Sequence, residues 1–304
     1  MPIVQISRIQ HRRGKRTDLP QLAAGELGWV IDEQRLFIGN GTVSDGAPAV
    51  GNTEIVTAGS SAFTTALNHT YQGYLGASTP ITTSQQRTLQ QRLDEYVSVK
   101  DFGAKGDDST ADVTAIQNAI DEIYTDTDKT DTRSRRVLFF PAGTYRINSA
   151  LKIPPYAHLV GEGPDKTIIR NSGNNAVMVT QDNAGNVGLN ISAQVNQIQI
   201  SNMTIRNTVA YGGVSLDSAK EVYFNNCKFQ GSYAGGGADA STSKGVTVTS
   251  TTALPCEKIY FHQCQFTKFA RLVDMSFDAL NVRFNDCDFN TAFYGAIIGD
   301  EWDG

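Results

Sequence analysis

At 304 residues, with hydrophobic side chains making up 40% of the chain, the protein is long enough for two domains that each bury a core. The formal net charge of −5 and the scatter of the basic residues exclude the broad cationic surface that nucleic-acid binding needs, and no window approaches the ~20 apolar residues of a membrane-crossing helix. Twenty-eight glycines and abundant Asn, Ser and Thr point instead to turns and short strands.

The stretch Met1 to Arg16 has no apolar run of the kind that heads a secretion signal, so Sec-type export is not expected. His11, Arg12, Arg13, Lys15 and Arg16 form the one basic group, suited to a solvated loop or to contact with an acidic neighbour. Before it, Ile3, Gln5 and Ser7 alternate with Val4, Ile6 and Arg8; after it, Gly25 to Asp32 and Arg35 to Gly41 hold two short runs of β-formers separated by Asp32-Glu33-Gln34, which predicts a hairpin. The succession of Arg12-Arg13-Gly14, Gly25-Glu26-Leu27-Gly28 and Asp32 to Gly41 resembles the small N-terminal β-module of phage tropism-determinant and tail-fibre proteins. That resemblance implies that residues 1–50 are a virion attachment module docking to phage tail or baseplate proteins, with Arg12, Arg13, Trp29 and Arg35 as docking residues.

Residues 51 to about 84 are rich in Gly, Ser, Thr and Ala without apolar periodicity and are expected to be linker. From Ser84 to Tyr96 the character changes: Leu89, Leu93 and Tyr96 fall four and three apart among Gln, Arg and Glu, which predicts a short helix with a narrow apolar stripe. So short a helix is marginal in water by itself. A parallel three-chain neck would bury the stripe, and residues 51–96 are therefore expected to form linker and neck helix of a homotrimer.

The segment Val97 to Ile120 contains Asp101-Phe102-Gly103-Ala104, Gly106-Asp107, Asp112 and Ala115-Ile116-Gln117, and it resembles the opening signature of the pectate-lyase-like β-helix superfamily. Asp108, Ala111 and Val113 depart from that signature at a Gly, an Asp and a Thr. The resemblance implies a mainly all-β fold, a right-handed parallel β-helix over 97–304 with a capping helix at about 111–124. The residues themselves predict a helix capped by Ser109 or Thr110, with an apolar face of Val113, Ile116, Ala119, Ile120 and Ile123 that closes the solenoid's open end. Asp107, Asp108 and Asp112 are read as favouring a helix N-terminus rather than as a calcium loop, and no metal or cofactor is expected. Val137 to Phe140 is apolar throughout, as in a strand buried on both faces.

Four octets align without gaps: Ile198 to Ile205, Val222 to Phe229, Ile259 to Phe266 and Val282 to Phe289. Their starts differ by 24, 37 and 23 residues, one solenoid coil each with an insertion of about 13 in the middle interval. In each octet the first, third, sixth and eighth residues are predicted to face inward and the fourth and fifth to form a corner. Stacking then places Met203, Cys227, Cys264 and Cys287 in one internal column and Ile205, Phe229, Phe266 and Phe289 in another. The thiols of Cys227, Cys256, Cys264 and Cys287, which lack CxxC spacing, are expected to be free. Asn202, Asn226, Gln263 and Asp286 take the corner, where left-handed backbone and amide ladders are at home. The Gly-, Ser- and Thr-rich insertion from Tyr233 to Thr252 suits either recognition or flexible decoration.

Outward positions carry Tyr223, Tyr260 and Arg283, a set of candidate glycan contacts, together with Lys228 and Asp288, and Asp274 and Asp278 lie nearby. Asp274 and Asp288 are the candidate acids if there is catalysis; no catalytic residue is assigned. The reading at this stage is a phage virion protein, a tail fibre, tailspike or baseplate appendage assembled in the host cytoplasm, presenting its β-helix to host cell-surface polysaccharide. The alternative is a capsule or exopolysaccharide depolymerase working on the β-helix face. No capping element is evident before Asp300 to Gly304, which leaves open a part for host recognition or cleavage that is absent from this chain or supplied by another.

Overall fold

The computed structural model describes residues 12–45, 50–55, 70–72, 86–93, 95–125, 136–235, 242–250, 253–276 and 279–298. The alternating stretch from Ile3 to Arg8, Asp278 and the chain end near Trp302 lie outside the described residues, as does part of the insertion. The chain divides into two compact units, 1–93 and 94–304.

The first unit holds a four-stranded sheet in chain order: β1 (Arg12–Gly14), β2 (Leu27–Val30), β3 (Arg35–Gly39) and β4 (Asn52–Ile55). Strands β2 and β3 form the expected hairpin, with Trp29 opposite Leu36 and Gln34 in the left-handed region at φ 54°. β1 joins in parallel and β4 antiparallel, so the sheet runs past residue 50 into the segment expected to be linker. Leu22, Val30 and Phe37 make its small core. Gly39 is dictated by packing, because a Cβ there would lie 2.1 Å from the Ala23 carbonyl oxygen. Further on, β5 (Thr70–Gln72) pairs antiparallel with β6 (Gln86–Thr88), and the helix shrinks to Leu89–Leu93. The helix predicted over 84–96 is therefore one turn and a half, because its first third is spent in a strand.

The second unit is a solenoid of three parallel sheets. Sheet A comprises Val97–Ser98, Leu138–Phe140, His158–Gly161, Val195–Ser201, Ala219–Asn225, Cys256–His262 and Ala279–Asn285. Sheet B comprises Asp107–Ala111, Gly143–Ile147, Thr167–Asn171, Thr204–Asn207, Lys228–Gln230, Gln265–Thr267 and Asp288–Asn290. Sheet C comprises Leu151–Ile153, Met178–Thr180, Val214–Asp217, Lys244–Thr249, Arg271–Ser276 and Tyr294–Ile298. Each coil visits A, then B, then C, and each strand pairs with its counterpart one coil on.

Inside, the columns are apolar and continuous. Phe224, Phe261 and Phe284 stack along sheet A with centroids 5.0 and 4.8 Å apart, while Phe229, Phe266 and Phe289 stack along sheet B at 4.7 and 5.0 Å. The two ladders meet edge to face, as between Phe261 and Phe266 at 5.5 Å. Met203, Cys227 and Cys264 are buried beside them, and Cys287 is half-buried. Phe289 is 43% exposed because its coil is the last with a described sheet B strand and nothing described covers its far face. At every A-to-B corner the fifth octet residue has positive φ: Asn202 57°, Asn226 50°, Gln263 53° and Asp286 53°. Asn226 Nδ2 donates to Asn202 Oδ1 at 2.9 Å, joining the first two corners.

The start of the solenoid departs from expectation in two ways. Residues Asp107–Ala111 form a strand on the edge of sheet B instead of a helix cap, held in a turn by Asp107 Oδ1, which accepts from the backbone N–H of Ser109 and Thr110 at 3.0 and 2.8 Å. The following helix, Val113–Ile120, has no side-chain cap; buried Asp112 reaches back and accepts from Lys105 N and Gly106 N at 2.8 and 3.0 Å. The helix nevertheless buries Ile116, Ala119 and Ile120 against the first coil. Gln117 adds a second cap: its Oε1 accepts from Lys152 N at 2.9 Å and its Nε2 donates to Lys152 O at 3.2 Å, so one amide satisfies the free edge of sheet C's first strand. Val137 to Phe140 alternates rather than being buried throughout, with Leu138 and Phe140 fully buried and Val137 39% exposed.

Candidate functional site

The outer face of sheet A brings three of the sequence-derived residues together. Tyr223 pairs with Tyr260 and Tyr260 with Arg283 across successive coils. The tyrosine rings stack at 5.2 Å and 21°, and the Arg283 guanidinium lies 5.9 Å from the Tyr260 centroid. Arg283 is steered by Asn281, whose Oδ1 accepts from Nε at 2.7 Å, and Asn281 Nδ2 lies 3.4 Å from the Tyr260 hydroxyl. Stacking uses one face of each ring on the other, so a ligand lying on this sheet meets ring edges, phenolic hydroxyls and a guanidinium rather than an open aromatic plane.

A column of left-handed positions flanks this patch. Gln197, Glu221, Lys258 and Asn281 have φ of 57°, 56°, 55° and 60° and make no ladder pair, while the register on either side of them is unbroken. Glu221 and Lys258 pair at 3.1 Å, and Lys220 and Glu257 at 2.9 Å. The hydrogen bond and charge of Lys258 lower the Glu221 pKa, and the same contact raises that of Lys258. In the sequence this column is marked by the polar residue repeated just before each octet.

The candidate acids do not join the patch or each other. Asp288 is exposed on sheet B, in register with Gln265. Asp274 lies on sheet C and is 5% exposed, its Oδ2 2.9 Å from both Lys244 Nζ and Arg271 Nη1. Its carboxylate is thus paired with two cations. Sequence reasoning also passed over Asp217 on sheet C, 8% exposed, whose carboxylate accepts from Ser215 Oγ at 3.1 Å and whose pKa burial raises. Nothing in Val214-Ser215-Leu216-Asp217 marks it, since the octet repeat covers sheets A and B alone. Among the described residues no group of three His, Cys, Asp or Glu converges as a metal-ligand set.

In the first unit Arg12 Nε pairs with Glu26 at 2.6 Å, and Arg35 lies 3.2 Å from Glu33 and 3.7 Å from Glu54. Arg13 is exposed opposite half-buried Trp29. Leu89 and Leu93 are exposed, and so is Tyr96, which belongs to the second unit and whose ring centroid stands 5.1 Å from that of Phe139 in the same unit.

Three parallel sheets wound coil upon coil, an interior of stacked apolar columns and a helix over the first coil define a right-handed parallel β-helix protein, here preceded by a small β-module. Residues 96–292 match the family model described as rhamnogalacturonase A/epimerase, pectate lyase-like, and the chain belongs to that family. Residues 9–43 match the N-terminal domain of the major tropism determinant. Among curated relatives, the probable glucan endo-1,3-beta-glucosidase of Arthroderma benhamiae is 36% identical over 69 residues, 23% of this chain and 7% of that protein. Alginate lyase 7 of Azotobacter vinelandii is 38% identical over 83 residues, 25% of this chain and 9% of that protein. Each match thus spans under a tenth of the relative. Among solved structures, the N-terminal fragment of bacteriophage phi29 gene product 12 is 20% identical with a TM-score of 0.51, covering 67% of this chain and 34% of that one, a likeness of fold. Tailspike protein 3 of bacteriophage CBA120 is 14% identical with a TM-score of 0.49, covering 91% and 48%.

Proposed function

We propose that the chain is a bacteriophage virion appendage of the tail-fibre or tailspike class, which attaches by its N-terminal module and presents its β-helix to host surface polysaccharide. The observation that carries this reading is the joining, in one chain, of a tropism-determinant-type module at 9–43 to a pectate-lyase-like β-helix at 96–292. On the same reading Arg13 and Trp29 contribute to docking on tail or baseplate proteins, and Tyr223, Tyr260 and Arg283 contact the glycan through hydroxyl and guanidinium hydrogen bonds. The homotrimer expected of the segment bearing Leu89, Leu93 and Tyr96 belongs to this proposal, supported by the exposure of all three. Immunogold labelling of intact particles with an antibody against the chain tests it: label on the tail is expected, and particles left bare would refute it. Retention of the purified protein on host polysaccharide is expected to fall at least tenfold in Tyr223→Ala/Tyr260→Ala.

The depolymerase reading draws support from the similarity to alginate lyase 7 and from Asp217, a buried carboxyl whose pKa desolvation raises. Shortening of polysaccharide chains by the protein, abolished by Asp217→Asn, would establish it.

A further inference from the structure

The outer face of sheet B carries an arginine at the same position of three successive coils. Arg146 pairs in register with Arg170, and Arg170 with Arg206. Like charges directly opposite on adjacent parallel strands, about 4.8 Å apart, repel each other and need counter-charge. Arg170 obtains it from the edge strand, its Nε lying 2.6 Å from Asp108 Oδ1, and Arg146 finds a neutral acceptor there, its Nη1 donating to Ser109 O at 3.0 Å. That strand does not reach the third coil, and no acceptor from the described residues lies on the Arg206 guanidinium.

Where the next two positions of the column become Gln230 and Thr267, the chain opens a cleft of roughly 240 Å³. Arg206, Thr208, Gln230, Ser232, Tyr233 and Lys268 contribute to its lining, and none of the lining residues is acidic. Lys268, thrown out of the strand by a left-handed backbone at φ 60°, likewise has no described acceptor on its ammonium group. The cleft is built by the first residues of the long insertion. Gly231 N donates to Thr267 O at 2.9 Å and Tyr233 N to Lys268 O at 2.7 Å, which lays the segment against the next coil. A Cβ on Gly231 would lie 2.1 Å from the Lys268 carbonyl oxygen, so the approach requires glycine. Lys228 adds positive charge on the same sheet, its nearest acid being Asp165 at 3.5 Å, whose side chain is 89% exposed and so largely screened by solvent.

We propose that this cleft is an anion subsite that takes a carboxylate or phosphate substituent of an acidic polysaccharide, with Arg206 and Lys268 supplying charge and Gln230, Ser232 and Tyr233 supplying neutral hydrogen bonds. The inference rests on the glycan-facing reading of the β-helix and gives that glycan its charge. Two cations with no described acceptor, and no carboxylate among the described lining residues, disfavour a neutral chain, whose hydroxyls cannot neutralise them.

The full chain is titrated by fluorescence anisotropy with three labelled oligosaccharides of equal length: a polyuronate, a phosphodiester-linked polyol and a neutral glucan. One or both acidic probes bind at least tenfold more tightly than the glucan, and the preferred one identifies the substituent. Arg206→Gln/Lys268→Gln removes that margin and leaves glucan binding unchanged. In the wild type, raising NaCl from 50 to 500 mM weakens the acidic probe at least tenfold and the neutral one less than twofold, a readout independent of any variant's folding. Equal affinity for acidic and neutral probes, or a margin that survives both substitutions, overturns the anion subsite while the glycan reading stands. Failure of all three probes to bind overturns both.

Discussion

Replacing Phe261 by Ala is the sharpest test of the stacked interior. The ring is fully buried, sandwiched between Phe224 at 5.0 Å and Phe284 at 4.8 Å, and met edge-on by Phe229 at 5.9 Å and Phe266 at 5.5 Å. Truncating a buried phenylalanine costs about 3–5 kcal/mol, and the rigid coils above and below leave the site little freedom to collapse, which sets the upper half of that range. A loss of about 4 kcal/mol lowers the folding constant about a thousandfold and the melting midpoint of a unit this size by roughly 8–16 °C. Phe289 provides the internal control. It stacks on one ring, Phe266, is met edge-on by Phe284 at 5.5 Å, and is 43% exposed, so Phe289→Ala is expected to cost about 1–2 kcal/mol. Denaturant unfolding of the full chain, followed by far-UV circular dichroism and resolved into its transitions, measures both. Equal losses in the two variants, or a loss below about 1 kcal/mol for Phe261→Ala, would show that the columns do not interlock as described.

Gln117→Ala strands both the N–H and the C=O of Lys152 on the sheet C edge and is expected to destabilise the β-helix by about 1–3 kcal/mol, with amide exchange at Lys152 rising first. Native alkylation by iodoacetamide at pH 8 is expected to spare Cys227 and Cys256, which are buried, the thiol pKa of Cys256 being pushed up to about 12 by desolvation; denaturation exposes both to quantitative labelling, read by mass spectrometry. Burial alone would raise the pKa of Asp182, yet hydrogen bonds donated by the backbone and side chains of Ser192 and Asn186 pull it well below the ordinary carboxylate range. Its contribution is therefore complete above about pH 4 and lost as pH falls through the depressed folded value, so the acid limb of a stability profile measured from pH 6 to 1.5 should flatten in Asp182→Asn.

The parts of the fold legible in the sequence are those where one residue type repeats for one physical reason. Phenylalanine at the eighth octet position, a small sulfur residue at the sixth and a turn-former at the fifth each mark a column, and Phe229, Phe266 and Phe289 do pair in register. Sheet C was invisible because its strands, such as Val214–Asp217 and Arg271–Ser276, share no motif; parallel pairing alone aligns them. The edge strand Asp107–Ala111 was invisible for another reason: its two aspartates are poor strand formers and only Thr110 favours a strand, so pairing with Gly143–Ile147 overrides propensity. The candidate site was legible only for Tyr223, Tyr260 and Arg283, which one strand position fixes. Asp274 and the Arg206 cleft depend on which coil lies above, and no local pattern carries that.

The same geometry explains where this solenoid can acquire specificity. Every A-to-B corner between octet strands spans two residues, one in left-handed backbone and one a buried or half-buried Met or Cys, so an insertion there would break both the turn and an internal column. The B-to-C passage has no such constraint: it takes three residues between Thr267 and Arg271 and thirteen between Gln230 and Lys244. Length changes are also absorbed at the C-to-A passage, which takes one residue between Asp217 and Ala219 and fourteen between Thr180 and Val195, but the B-to-C corner is the one beside the sheet whose outer column carries the arginines. The longer passage after Gln230 walls a cleft against the next coil, and the chemistry of that cleft is set by what the column presents beneath it. In this chain the column presents Arg206, the first arginine of the series beyond the reach of the edge strand's acid.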